Sequence, residues 1–515
     1  MTKSNEKRRI KVPRIKRWVR VSLLTLLGLL LVAGSFIGWG LWSSRLPGSM
    51  NMGSACTMTM PMDHADTSMS CGQSTPVTSL QAPQTAPSVK QFTLTTRVVK
   101  LNIGAGKTVD AWTYNGTAPG PTLRVRQGDL VVVKLVNTLP EGVTIHWHGV
   151  RVPNVADGVA GITQNAVKPG QSYTYRFLAT DPGTYWYHSH EQSDEQVARG
   201  LFGMLIVDPA QPTERDDVDA QIILHDWESL GGGITINTTQ QVSRVSAQAG
   251  EWVRLRLLNT RNHPLGITLV GVPFTVSALD GHDLNKPQPL QKILLPIGGG
   301  QRFDVHFQMP KDGMVRLVVT DEQGEVLQAP AALIGPDGAS SPASPASLPL
   351  NWFDFSRYGE PRVDEITPQS HFDQQTQMVL GRQLGFFNGQ FLMTYTINGQ
   401  TMPHISPITV SSGQLIKIRI VDESGDPHPI HIHGHTFTVL SRNGHPLTGS
   451  PVHLDTILVQ PHESYEVAFR ADNPGLWMDH CHNLNHAAHG MSMMIAYPNI
   501  STPFSMGSDS GNMPE

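Results

Sequence analysis

Apolar and polar residues alternate in three stretches of the chain that share one layout. The first has Tyr114-Asn115-Gly116 followed by Thr122 to Asn137. The second has Ile236-Asn237, then Val245 to Gly250, then Trp252 to Asn259. The third has Ile397-Asn398-Gly399, then Ile408 to Gly413, then Leu415 to Ile420. A period of two around a glycine predicts strands joined by hairpins. Some 40 to 60 residues into each copy a second match follows: Pro169 to Phe177, Gly299 to Phe307 and Pro461 to Phe469. Three copies of one β-sandwich domain explain this pattern best. The boundaries are expected near Pro209–Thr213 and in the Ser/Pro/Ala-rich stretch Gly335–Pro349, which reads as a linker.

One run breaks the alternation. Val21 to Trp42 is continuously apolar, and nine Lys/Arg lie between Lys3 and Arg20. At 1.5 Å per residue the run makes about 33 Å of helix, enough for a hydrocarbon core of ~30 Å. Only Arg45 is basic between that run and Lys90. The charge bias leaves residues 1–20 cytoplasmic and everything after the span outside. No clean small-residue cleavage site follows, which favours an uncleaved single-pass anchor in the cell membrane.

Composition adds two limits. A net charge of −4 gives no bulk argument for nucleic acid, and 39% hydrophobic residues suffice for real cores. There are three cysteines. Cys56 and Cys71 lie in a tail, Met50 to Cys71, that holds Met50, Met52, Met58, Met60, Met62, Met69 and His64. Outside the membrane the two cysteines are able to form a disulfide. The thioethers are soft ligands suited to Cu(I) capture.

The chemistry lies in histidine pairs. Five His-x-His pairs occur, where 22 histidines would give roughly one by chance. They are His146-Trp147-His148, His188-Ser189-His190, His431-Ile432-His433, His433-Gly434-His435 and His480-Cys481-His482. In a strand, residues i and i+2 share a face and i+1 points away. His480 and His482 therefore bind one metal centre while Cys481 binds another, an arrangement suited to electron transfer. The pairs occur only in the first and third copies, so those two copies are expected to meet around the metals.

The four motifs His146-x-His148-Gly149, His188-x-His190, His428-Pro-x-His431-x-His433-Gly434 and His480-Cys481-His482-x3-His486-x4-Met491 resemble the copper motifs of the multicopper oxidases. The resemblance covers residues from about 88 to 500. It implies an all-β chain of three cupredoxin-like Greek-key β-sandwich domains behind one N-terminal transmembrane helix. The expected division is 1–20 basic segment, 21–42 anchor, 43–87 Met-rich flexible tail, 88–210, 211–340 and 350–500 for the domains, and 501–515 a flexible end.

The resemblance also implies four copper ions. His428, Cys481 and His486 would bind the type 1 copper with Met491 axial. His146 and His431 would hold type 2. His148, His188, His190, His433, His480 and His482 would hold the type 3 pair. Asp157 matches the family acid in the proton relay. Many bacterial members place a glutamate where Asn485 stands, and asparagine cannot titrate. Glu191, Asp194, Glu195 and Asp479 are nearby in sequence. His435 and His489 are read as packing or supporting groups, and His225, His263, His282 and His306 as ordinary.

The activity implied is one-electron oxidation of a small reductant, received through the exposed edge of His428 or His486, coupled to four-electron reduction of O₂ to water. The reductant is open among Cu(I), phenols and Fe(II). The Met-rich tail and the acids Asp422, Glu423 and Asp426 before His428 favour a metal ion. A laccase-like oxidase with a cuprous oxidase role in copper tolerance is expected, with ferroxidase as the alternative. A non-catalytic copper-binding cupredoxin protein is disfavoured, since no motif ligand is missing.

Overall fold

The structure is a computed structural model that describes residues 16–52, 74–211, 215–327, 330–336, 338 and 351–515. Cys56, Cys71, the methionines from Met58 to Met69, His64 and most of the 335–349 linker lie outside the described residues. The chain forms two compact units. Of the described residues, one comprises 16–46 and Leu384–Met393; the other comprises the rest.

The second unit is built from strands, and its sheets repeat one plan three times. Val89–Gly104 pairs in parallel with Leu130–Val136, Val218–Asp226 with Trp252–Asn259, and Gln374–Phe387 with Leu415–Asp422. Each second partner then pairs antiparallel with Ser172–Leu178, Arg302–Gln308 or Ser464–Arg470. The facing sheet also repeats. Gly120–Arg126, Ser243–Val245 and Ile408–Thr409 pair in parallel with Phe202–Asp208, Ala332–Ile334 and Ser492–Ala496. This is the cupredoxin-like β-sandwich that the resemblance implies.

The asparagine that marks each copy has one job in all three. Asn115, Asn237 and Asn398 adopt φ of 56°, 55° and 52°, a conformation asparagine tolerates better than most residues. Their side chains accept from the backbone N–H of Thr95, Ile223 and Val379. They donate to the carbonyls of Thr93, Gln221 and Gln377. Each thereby ties a turn to the first strand of its sandwich. Gly128, Gly250 and Gly413 occupy equivalent turns at φ of 90°, 81° and 90°. An added Cβ there would meet nothing, so the dihedral alone calls for glycine.

The histidine pairs fall on equivalent strands. His146–His148 pairs antiparallel with Gly183–His188, and His428–Ile432 with Leu476–Cys481. The second copy places Leu265–Val270 against Val315–Thr320 at the same point and fills it with apolar side chains.

Both ends depart from the expectation of loose segments. Thr75–Pro76 pairs in parallel with Ile500–Ser501, and Val77 is buried. Beyond Ser501, Asn512 accepts from the Ala166 N–H, and Met506 is buried. The Met513 and Pro514 carbonyls accept from the Gln192 and Ser193 N–H groups of the first copy, which holds this segment in place.

The first unit contains the helix Arg17–Ser43, whose apolar stretch Val21–Ser43 has the length and composition to cross a membrane.

Candidate metal centre

Strand register builds the site. His431 stands opposite His480 and Ile430 opposite Cys481. His146 stands opposite His188. Alternation sends Cys481 to one side of its strand and His480 and His482 to the other.

On the first side, Cys481 Sγ lies 3.5 Å from His428 Nδ1 and 3.7 Å from His486 Nδ1, and the two nitrogens are 3.1 Å apart. Burial pushes the Cys481 thiol up and holds His428 at about 4 and His486 at about 2. Two neutral imidazoles and a thiol that ionises only beside a cation form the donor set of a soft metal. The outer nitrogens are held in turn. His428 Nε2 is 2.7 Å from Ser424 Oγ, and His486 Nε2 is 2.9 Å from the Asn483 amide. The Asn483 Nδ2 stands nearest the ring; the flipped amide, with its oxygen there, would accept the Nε2 proton and leave Nδ1 for a metal. Met491 is fully buried, and its carbonyl accepts from the Cys481 N–H.

On the other side, eight histidines from the first and third copies converge in three groups: His146 with His148 and His431, His148 with His188 and His482, and His190 with His433 and His480. All eight are buried. His148 Nδ1, His188 Nε2, His482 Nε2 and both nitrogens of His190 have no hydrogen-bond partner. Bare imidazole nitrogens turned toward one another in a dry site are costly unless a cation binds them. The opposite nitrogens of four rings are fixed. His146 Nδ1 meets the Asp157 carbonyl at 2.8 Å, His431 Nδ1 the Asp455 carbonyl at 2.9 Å and His188 Nδ1 the Ser189 carbonyl at 2.9 Å. His433 Nδ1 meets Asp157 Oδ2 at 3.0 Å. His148 is reversed: its Nε2 faces Thr456 Oγ1 at 2.9 Å and Asp455 Oδ1 at 3.1 Å. This orientation of ligand-type imidazoles by outer acceptors is what metal sites require.

Sequence reasoning missed four contributors. Arg302, from the second copy, is fully buried and donates to both Asp455 oxygens. Burial pushes Asp455 up, but Arg302 and the bonds from His148 and His431 hold it well below the usual carboxylate range. Gly300 lets that copy close on the site, since an added Cβ would stand 2.9 Å from His148 and His482. Glu515 is the fourth. Its Oε1 lies 3.5 Å from His480 Nδ1 and 3.9 Å from His190 Nε2, and its Oε2 accepts from Ser193 Oγ at 2.5 Å. Burial pushes Glu515 up to about 8.

The acids nearby in sequence are sorted by environment. Asp479 is buried without a hydrogen-bond partner and pushed up to about 8. Glu191, pushed up by burial to about 7, accepts from the Met513 N–H. Asp194 and Glu195 are taken by Asn262 and Arg199. Asp422 does not form a surface charge: it is buried, accepting from Ser424, Gly425 and His462 backbone groups. Asp426 is paired with Arg382 at 2.6 Å. Of the three expected steering acids only Glu423 is exposed. His428 is covered, and His486 keeps 5% exposure beneath the stacked Tyr395 ring. His435 bonds Tyr497 OH and the His433 carbonyl, and His489 the Asn485 carbonyl.

The chain is similar to known proteins. Family models described as multicopper oxidase match residues 95–212 and 371–500. Laccase-1 of Botryotinia fuckeliana is 28% identical, over 74% of this chain and 77% of that protein. The crystal structure of a multi-copper oxidase from Pseudomonas thermotolerans superposes with a TM-score of 0.65 at 29% identity, covering 79% of this chain and 99% of that one. The multicopper oxidase MmcO of Mycobacterium tuberculosis is 32% identical over 464 residues, 79% of this chain and 86% of its own length. With such a relative and two matching family models, the chain belongs to the multicopper oxidases, copper-dependent oxidoreductases that use oxygen.

Proposed function

We propose that His428, Cys481 and His486, with Met491, would hold a type 1 copper. His146 and His431 would hold the type 2 copper. His148, His188, His190, His433, His480 and His482 would hold the type 3 pair. When bound, the coppers supply one-electron acceptance from a reductant and four-electron reduction of dioxygen to water.

One observation carries the reading. The segment His480-Cys481-His482 serves both ligand sets, and His480 Nδ1 meets the Cys481 carbonyl at 3.1 Å. Two sites linked by adjacent residues are suited to electron passage. His486, under Tyr395, is the type 1 ligand that retains a solvent-reachable edge. Asp157 fixes the rings of His146 and His433 and takes the relay position. Glu515 supplies a titratable acid where Asn485 cannot, and its Oε1 is free to hold a proton beside His480. The segment ending there also excludes water from the histidines.

The reductant is a small one-electron donor, and the activity is laccase-like with cuprous oxidation in copper tolerance. Fe(II) is the second reading. The burial of Asp422 and the pairing of Asp426 weaken cation steering, which favours a broad oxidase over one dedicated to metal ions. The helix Val21–Ser43 anchors the chain in the cell membrane with the β unit outside. The deciding experiment is oxygen uptake by the copper-loaded chain with Cu(I), Fe(II) and a phenol in turn. Oxidation of the phenol and Cu(I) at comparable efficiency is expected; activity with Fe(II) alone would replace the reading with ferroxidase.

A further inference from the structure

The hairpin of the third copy carries an apolar tip that the oxidase reading leaves unused. Strands Gln374–Phe387 and Gln390–Ile397 are joined at Asn388-Gly389, with φ of 45° and 74°, the conformation of a tight two-residue hairpin turn. Around it stand Leu384, Phe386, Phe387, Phe391, Leu392 and Met393, and no charged residue lies between Leu384 and Met393. Leu384 is 67% exposed and Phe391 59%. Such a cluster at the end of a hairpin is an aggregation liability in water.

The tip belongs to the same compact unit as the apolar helix. Phe386 packs edge-on against Phe36 with centroids 6.2 Å apart. It also covers Gly40, where an added Cβ would be 2.4 Å from its ring. The turn is level with the helix end: the Gly389 N–H donates to Ser44 Oγ at 3.2 Å. Counting back from Ser43 at 1.5 Å per residue, Gly40 and Phe36 lie about 5 and 10 Å inside the apolar helix. Side chains packed there sit at the depth where acyl chains begin. The hairpin's unpaired outer edges forbid deeper burial, because backbone N–H and C=O groups find no partner in hydrocarbon.

We propose that Leu384–Met393 is a second membrane-inserting element, seated in the leaflet at the Ser43 end of the helix with Leu384, Phe391 and Met393 among the acyl chains. It rests on the reading of Val21–Ser43 as a membrane span.

The test uses the full copper-loaded chain in phosphatidylcholine vesicles that contain a lipid with a diazirine on its acyl chain. After illumination, digestion and mass spectrometry locate the label. Label on both 21–43 and 384–393 is expected. In a Leu384→Ser, Phe391→Ser, Met393→Ser variant the hairpin label should be lost while the helix label and the blue absorption stay. Label on the helix alone overturns the inference and leaves the span intact. Absence of label from both removes the span and the inference together. A hairpin cross-linked to a second copy in place of lipid would make it a dimer contact and overturn the proposal.

Discussion

Arg302 donates to both oxygens of Asp455, at 2.8 and 2.5 Å, with both side chains fully buried. The pair joins the ligand-free second copy to the histidines, because Asp455 also meets His148 and His431. Arg302→Met would leave a buried carboxylate uncompensated, at a cost of about 3–5 kcal/mol. Urea unfolding should show that loss, and copper analysis should show less metal retained in the cluster. Unchanged stability would mean that Asp455 takes up a proton without consequence.

Cys481→Ser should remove the blue absorption and the oxidase rate together. On the proposed assignment the thiolate is the source of the colour and the link to His480. The remaining eight histidines keep their contacts, so three coppers per chain should remain by metal analysis. A variant that stays blue would place the type 1 thiolate elsewhere.

Asp157 touches two rings, at 3.1 Å from His146 Nδ1 and 3.0 Å from His433 Nδ1. Asp157→Asn keeps the shape but cannot accept from both rings equally or carry a proton. Turnover should fall by about 10- to 100-fold with the blue band intact. Equal rates across pH 5–8 would remove Asp157 from the relay.

The convergence of the histidines was legible because strand alternation converts His-x-His spacing into a shared face. The three Asn-marked turns were legible because one local bond pattern recurs. Glu515 was not: it reaches His480 from 35 residues away through a segment whose hydrogen bonds follow no periodicity. Arg302 sits in the repeat Gly299 to Phe307, yet only the packing of one copy on another shows that it faces Asp455. The acids before His428 look like a surface patch in one dimension. In the fold, Asp422 turns inward to satisfy the backbone of its own loop.

Glu515→Gln preserves the bond to Ser193 and removes the carboxylate beside His480. Reoxidation of the reduced, bleached enzyme by dioxygen should slow on the order of tenfold or more. Its reduction by a phenol should be unaltered, since Glu515 does not touch His428, Cys481 or His486. Stopped-flow recovery of the blue band separates the two half-reactions. Unchanged reoxidation would reduce the 505–515 segment to a water-excluding cover.

His225 provides a pH-dependent prediction away from the proposed copper ligands. It is buried between Phe202 and Trp227, with Nδ1 2.8 Å from Thr260 Oγ1. Burial lowers it to about 3 in the folded chain, against about 6.5 when unfolded. Its folded value is depressed, so the neutral ring is favoured by folding. That stability is complete above pH 6.5 and is lost as pH falls toward 3, by about 1.4 kcal/mol per pH unit. Between pH 7 and pH 5 the wild-type chain should therefore lose about 2 kcal/mol more than His225→Gln, which does not titrate. Urea unfolding of both proteins at the two pH values measures the difference. Parallel losses would show that His225 becomes charged without leaving its pocket.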